Sequence, residues 1–324
     1  MKFSDRLYNF YAGIKMKKLG MYFIVASSII VIWKLTVIES GVDRLQILRE
    51  ALDLHKEELQ LSQQQLLLLE HLESNIDPKS IPTVYAITPT YYRYVQKAEL
   101  TRISQTLKLV PNVHWIVVED SEEKTNLVRN LILESKLIVT HLNAKTPPLE
   151  KFKDKERWKK HRGVEQRNAA LAWLRNNLHL NKDKGVVYFM DDDNTYSVKL
   201  FHEMRKVKKV GVWPVGLVGG LNVETPILDS ATGKVKRYKS GWKPNRKFAI
   251  DMAGFAINLD LILAKPQASF SYQMEKGLQE SEFLSYFTTK EELEPLADNC
   301  TKVYVWHTRT EKPNVNGVVD GFEV

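Results

Sequence analysis

One cysteine, Cys300, is the only thiol in this chain of 324 residues. No intramolecular disulfide can form, which excludes a small secreted domain held together by disulfides. A large domain in a secretory compartment stays open, because a chain of this length can bury a core of its own. Cys300 then reads as a buried free thiol. Nucleic-acid signatures are missing too, with no helix-turn-helix, RNP sequence or zinc-finger spacing. The surplus of 47 Lys and Arg over 39 Asp and Glu, a formal net charge of +8, therefore suits an anionic substrate or a membrane surface. A small-x-small cleavage site is absent after the first apolar stretch, which argues against a removable signal peptide.

That stretch occupies residues 19–38. It is uncharged from Leu19 to Trp33, and its apolar character resumes after Lys34. It matches the roughly 20 residues of a spanning helix, with Lys34 placed to snorkel. Lys2, Arg6, Lys15, Lys17 and Lys18 precede it and hold residues 1–18 on the cytosolic side. The expectation is a single-pass signal anchor with everything after it in the lumen. Residues 39–80 read as a stem. Leu45, Leu52, Leu59 and Leu66 recur every seven residues, Leu48 and Leu69 fill two intervening positions, and His55 and Ser62 interrupt the seam. This pattern fits a parallel coiled coil pairing two stems and, nearly as well, an uncommitted amphipathic helix. Asn75–Pro82 is the break into the globular part.

From Ile81 onward strand and helix patterns alternate, which predicts an α/β domain with a mainly parallel sheet. Strands are expected at Val84–Ile87, His114–Val118, Leu137–His141 and Val186–Met190, and helices at Gln96–Leu109, Leu127–Leu133 and Gly163–Leu178. The strand ends are polar: Thr88-Pro89-Thr90, Glu119-Asp120 and Asp191-Asp192-Asp193. Polar residues converging at strand carboxyl ends form the nucleotide crevice of doubly wound sheets. Taken alone, the Asp triplet fits a divalent-metal site built from hard oxygen ligands and equally a solvated acidic turn capping the next helix. Arg162 and Arg167 flank a helix start, a setting for a carboxylate or diphosphate; the basic run before them reads as a solvated loop.

Beyond Asp193 the chain offers a second set of candidates. Glu224 follows the glycine-rich Val212–Gly220 run, and Trp242 lies near Arg246. Asp251 sits within an apolar stretch, Ala249–Ile257, read as a strand, where its carboxylate needs an internal hydrogen bond or a ligand hydroxyl. Glu280 opens a helix, as a simple dipole-stabilised acid or as a general base. A final strand, Lys302–Trp306, runs into His307 and Arg309, whose alternation puts them on one face. Asn299-Cys300-Thr301 is an N-glycosylation sequon.

Together, TPTYYRYVQKAELTRISQTL, VPNVHWIVVED, RGVEQRN, VVYFMDDDNTYS, VWPVGLVGG, FAIDMAGFAINL, LQESEFL and NCTKVYVWHTRTEK resemble the lumenal β-1,3-glucuronosyltransferases of animals, from Ile81 to Lys312. The resemblance implies a glycosyltransferase A-type fold: a Rossmann-like UDP-sugar-binding subdomain over 81–193 and an acceptor-binding subdomain over 194–324. It implies Mn²⁺-dependent, inverting transfer of glucuronic acid from UDP-glucuronic acid to O3 of a terminal galactose, in a Golgi-membrane homodimer. By the same resemblance Asp193 is the metal ligand, while Asp191 and Asp192 position the donor's sugar and ribose. Pro89, Thr90, Tyr91 and Asp120 form the uridine pocket, and Arg162, Arg167, His307 and Arg309 contact the donor. Glu280 is the catalytic base, and Glu224, Trp242, Arg246 and Asp251 bind the acceptor. The acceptor implied is the Gal-Gal-Xyl linkage region of proteoglycans. N-acetyllactosamine of glycoproteins or glycolipids is the alternative within the family, and a non-catalytic galactoside lectin the alternative outside it. Two departures stand out: Met190 takes the place of a small residue, and the tail after Lys312 is short and divergent.

Overall fold

The computed structural model describes residues 24–34, 41–74, 81–150, 161–275, 277–311 and 313–314. The chain divides into two compact units, Met1–Asp77 and Pro78–Val324. In the first unit α1 (Gly41–Ser74) is a continuous helix, as its Glu-, Gln- and Leu-rich composition predicts. Leu45, Leu48, Leu52 and Leu59 are exposed. Residues 24–34 are helical. Among the described residues no helix is long and apolar enough to cross a membrane. Of the anchor expected over 19–38, residues 24–34 are described as this short helix, while residues 19–23 and 35–38 and all of the 1–18 tail lie outside the described residues.

The second unit is built on a seven-stranded sheet. Its first four strands are β1 (Thr83–Thr90), β2 (Val113–Glu119), β3 (Ile138–Asn143) and β4 (Gly185–Phe189). These are apolar runs because both faces are covered. Along them side chains alternate between two cores: Tyr85, Ile87, Ile116, Val118, Val187 and Phe189 enter one, while Val84, Ala86, Trp115, Val117, Val186 and Tyr188 enter the other. Helices α2 (Gln96–Leu107) and α3 (Asn126–Ser135) cover the second core through Leu100, Ile103, Val128 and Leu131. Helix α4 (Val164–Asn177) covers the first through Ala170, Leu171 and Leu174.

Strands β1, β2 and β3 are parallel neighbours in that order, and β4 returns to pair with the other side of β1, also parallel. The direction of winding thus reverses between β1 and β4, which opens a crevice at their carboxyl ends. Beyond β4 the sheet continues through β10 (Phe255–Asn258), β6 (Val210–Val212) and β11 (Glu294–Pro295), with β10 antiparallel to both of its neighbours. The sheet therefore draws strands from both sides of Asp193. A second, five-stranded sheet has the order β5 (Thr195–Tyr196), β12 (Val305–Trp306), β7 (Val215–Val218), β8 (Leu221–Leu228) and β9 (Val235–Lys239).

Three local expectations change. Asp251 does not lie in a strand: it caps a 3₁₀ turn, Met252–Gly254, and its Oδ1 accepts the Ala253 N–H at 2.9 Å. The carboxylate is satisfied by a donor that a strand would not present, and β10 starts only at Phe255. The last strand shortens from Lys302–Trp306 to Val305–Trp306. A left-handed turn with φ of 53–59° at Asp298, Asn299 and Cys300 precedes it. Met190 donates its N–H to Ile87 O at 2.8 Å and is fully buried with Val186 and Tyr188, so it extends the β1–β4 ladder as a core residue. Cys300 is buried, and burial pushes its thiol up to about 12.

Candidate active site

Three consecutive aspartates after β4 meet three different environments. Asp191 Oδ1 accepts Arg167 Nη2 at 2.7 Å. Asp192 is 6% exposed, and its Oδ1 pairs with Arg93 Nη2 at 2.7 Å. Its Oδ2 is buried without a protein partner. Burial pushes the Asp192 carboxyl up to about 6 against the opposing pull of Arg93 and Thr90. Asp193 is raised by burial and by the neighbouring Asp191 charge, with His307 opposing. The backbone of the turn is held from two sides. Arg102 Nη2 on α2 donates to Asp193 O at 2.9 Å, and Thr308 Oγ1 donates to the same carbonyl at 2.7 Å.

The end of β1 forms the adjacent wall. Thr90 is buried and its Oγ1 accepts Gln96 Nε2 at 3.1 Å, while Pro89 stands opposite Val118 in the ladder. Tyr91 is exposed, with the Arg93 guanidinium 4.6 Å from its ring centroid. At the end of β2 the two acids divide. Glu119 is structural: burial raises its carboxyl, but hydrogen bonds from His141 and Thr125 outweigh burial and leave it lowered. Asp120 reaches the crevice rim, where Thr146 N and Oγ1 donate to its two oxygens at 2.7 Å each. Gly163 adopts φ +67° before α4, and a Cβ there would come 2.5 Å from Arg167 Nη1. That close approach lets Arg167 donate to Arg162 O at 2.8 Å while holding Asp191.

The residues after Asp193 form the opposite wall. Glu224 is 5% exposed; its Oε1 accepts Gly241 N at 2.7 Å and Ser240 Oγ at 2.9 Å. Gly219, at φ +60°, makes room for that carboxylate, since a Cβ would lie 2.1 Å from Glu224 Oε1. Trp242 is 39% exposed, with the Arg246 guanidinium 5.0 Å from its ring centroid and Gly277 packed against the ring. Arg246 is fixed by the carbonyls of Trp242, Phe248 and Ile250. His307 Nδ1 lies 3.9 Å from Asp251 Oδ2. The Asp251 carboxyl is raised, first by burial.

Glu280, in the first turn of helix α7 (Gln279–Ser285), is raised to about 7 by burial and then by the Asp251 charge, with Arg246 and Arg167 opposing. The charges acting on it come from both walls. Helices α5 (Val198–Met204) and α6 (Leu259–Ala264) lie between these segments in the chain. A cleft of about 750 Å³ opens at His307, Thr308 and Arg309 and is lined on its other side by Leu217, Val218, Gly219 and Gly220. Asn299 stands apart, exposed on the left-handed turn.

Arg93, Arg102, Glu99 and Thr308 belong to this site although no sequence pattern singles them out. Arg93 joins Asp192 to the buried Glu99. In sequence it is one cation among tyrosines, and its carboxylate partners become visible only when the fold brings them together. Arg102 reads as an ordinary solvated helix cation.

Among the described residues no group of three or more His, Cys, Asp and Glu is arranged around a metal position. The carboxylates present still fit Mg²⁺ or Mn²⁺. Such ions are held by one or two protein carboxylates together with substrate phosphates, and Asp193 is a half-buried acid beside a second acid, a charge arrangement that a cation relieves.

A Rossmann-like sheet with an acidic turn at its switch point, facing a second wall with an exposed tryptophan and a raised glutamate, fits a glycosyltransferase. The comparisons with known proteins narrow the class. Residues 103–311 match the glycosyltransferase family 43 domain. Galactosylgalactosylxylosylprotein 3-beta-glucuronosyltransferase I of Drosophila melanogaster is 55% identical over 240 residues, covering 72% of this chain and 78% of that protein. Galactosylgalactosylxylosylprotein 3-beta-glucuronosyltransferase 3 of Mus musculus is 46% identical over 316 residues, covering 93% and 94%. The chain belongs to glycosyltransferase family 43.

Proposed function

We propose that the chain transfers glucuronic acid from UDP-glucuronic acid to O3 of the terminal galactose of a protein-borne Gal-Gal-Xyl glycan, with inversion at the anomeric carbon. The reading is supported by the relatives' printed names at 45–55% identity. The observation that carries the chemistry is Glu280, a carboxyl raised to about 7 at the junction of the two walls. A base poised near neutrality is what an acceptor hydroxyl requires. Glu280 takes the O3 proton as the O3–C1 bond forms and the bond from C1 to the diphosphate oxygen breaks, releasing UDP. Asp192 and Tyr91 bind the nucleoside. Arg167 and His307 supply positive charge where the leaving diphosphate gains negative charge. Trp242 offers its face to a galactose ring, and Glu224 and Asp251 accept hydrogen bonds from acceptor hydroxyls.

Asp193 would hold Mn²⁺, with Asp191 beside it. When bound, the metal supplies Lewis-acid stabilisation to the diphosphate. In the cell the same reading makes the chain a single-pass Golgi protein with this unit in the lumen. The exposed Asn299 sequon is consistent with that placement, and the exposed heptad leucines of α1 suit a paired stem.

The test is Glu280→Gln. Transfer to Gal-Gal-Xyl falls at least about 10²-fold, while calorimetric UDP affinity in Mn²⁺ stays within about twofold of wild type. Full transfer by the variant would remove Glu280 from the role. Running N-acetyllactosamine beside Gal-Gal-Xyl reports the acceptor directly. For the metal, Asp193→Ala abolishes the Mn²⁺-dependent part of UDP affinity; wild-type affinity unaffected by EDTA would count against Asp193 as ligand.

A further inference from the structure

Between Ser230 and Ile250 the chain carries seven Lys and Arg side chains and no carboxylate. The first four lie on or beside β9, an outer strand of the five-stranded sheet. Val235 and Tyr238 point into the protein, whereas Lys236, Arg237 and Lys239 are exposed. Lys236 is 3.4 Å from Asp229. Arg237 and Lys239 have no ion pair among the described residues. Lysines on an outer strand commonly guard a sheet against pairing with another sheet. That role does not account for the continuation of the run past the strand, through exposed Lys243, which pairs with Glu275, and exposed Lys247 on the loop that carries Trp242.

The strip also begins at the proposed acceptor site. Lys239 pairs across the ladder with Thr225, the residue after Glu224, and Ser240 and Gly241 hold the Glu224 carboxylate. From Lys239 back to Lys236 the strand leads away by roughly 10 Å, at the usual rise of about 3.4 Å per residue.

We propose that this strip is an exosite for an acidic stretch of the polypeptide that carries the acceptor glycan. The inference rests on the proposed function, in which the acceptor is a protein-linked trisaccharide. Three sugar rings are short, so the attached polypeptide meets the enzyme close to the rim, where Arg237 and Lys239 lie without an ion pair among the described residues. Several weak ion pairs made together by one tethered segment raise affinity by effective concentration although each alone contributes little. The exosite therefore lowers KM for acidic glycoproteins and leaves the chemical step untouched.

The experiment compares three acceptors: Gal-Gal-Xyl as its methyl glycoside, on a peptide with several Asp and Glu next to the attachment serine, and on the same peptide with Asn and Gln in their place. Wild type is expected to show a KM about tenfold lower for the acidic than for the neutral glycopeptide, an advantage lost in 0.5 M salt. Arg237→Glu combined with Lys239→Glu brings the two within about twofold, with kcat on the methyl glycoside unchanged. The corresponding Gln pair falls between. Equal KM values in wild type, or a persisting tenfold advantage in the Glu pair, overturns the proposal. So does loss of binding to phosphatidylserine vesicles by the Glu pair with the peptide preference intact, which would assign the strip to a membrane surface. Failure of wild type to use any of the three acceptors would instead sink the proposed function.

Discussion

Glu280 and Arg93 each turn a half-buried charge into a measurable property. The Glu280 carboxyl, ordinarily near 4.5, is raised to about 7 chiefly by burial. Its basic form is lost as pH falls through 7, so kcat/KM should drop about tenfold per pH unit on the acid side. A pH profile flat down to 5.5 would contradict this. The linkage sign for stability is opposite to that of a salt-bridged carboxylate. The folded-state pKa lies above the unfolded one, so ionised Glu280 destabilises the fold increasingly from about pH 4.5 to 7 and fully above 7. Glu280→Gln is therefore expected to raise unfolding free energy at pH 8 by about 1–3 kcal/mol, with the gain vanishing near pH 4.5 in urea titrations. Arg93 acts at a distance from the chemistry. It holds Asp192 Oδ1, leaving Oδ2 for a ligand hydroxyl, and lies over the Tyr91 ring. Arg93→Met should weaken UDP binding about tenfold, the range of a charge-assisted hydrogen bond, and should matter less for 2′-deoxy- or 3′-deoxy-UDP. Lysine restores only part of the loss, because it lacks the planar guanidinium that lies over the Tyr91 ring. Equal losses for UDP and both deoxy analogues would reduce Arg93 to a structural role.

At the scale of elements, the close approach of Gly219 to Glu224 ties the β7–β8 turn to the proposed acceptor site. Gly219 sits at φ +60°, and an added Cβ would press on Glu224 Oε1. Gly219→Ala is expected to lower kcat/KM for the acceptor about tenfold or more, combining left-handed strain with displacement of the carboxylate. UDP affinity should stay unchanged, and equal losses for donor and acceptor would show a wider disturbance. The elements also show what could be read in advance. Strands β1, β2 and β4 were legible because burial on both faces leaves unbroken apolar runs, and their polar ends marked the crevice. The Asp251 segment was not. Its apolar neighbours suit a strand and a 3₁₀ turn alike, and only the Ala253 N–H reveals the turn. The antiparallel course of β10 was equally hidden, since strand direction depends on the path of the intervening chain and leaves no local pattern. Asp191, Asp192 and Asp193 were conspicuous as a triplet, but their distinct settings come from Arg167 and Arg93, which local spacing does not connect to them.

For the whole molecule, the decisive feature is that one sheet spans both proposed subdomains. Strand β4 is paired on one side by β1 and on the other by β10. Phe189 meets Phe255, Phe270 and Phe283 at ring-centroid distances of 6.3, 5.2 and 5.5 Å. Tyr188 donates its hydroxyl to Ala253 O at 3.0 Å. A fragment ending at Asp193 would expose these rings, leave a buried tyrosine hydroxyl without its acceptor and open the edge of a strand whose side chains are buried on both faces. Large-to-small losses in cores cost about 2–5 kcal/mol each, and several at once exceed the total stability of an ordinary domain. A fragment of residues 81–193 should therefore show no cooperative thermal transition and no UDP binding. Residues 78–324 keep both sheets and every residue placed in the site. That chain should unfold cooperatively, bind UDP within about twofold of the full chain and transfer to the free trisaccharide at a comparable rate. Cooperative unfolding and UDP binding by 81–193 alone would mean that the donor-binding half is an autonomous domain, and that the shared sheet joins two folding units where we expect one.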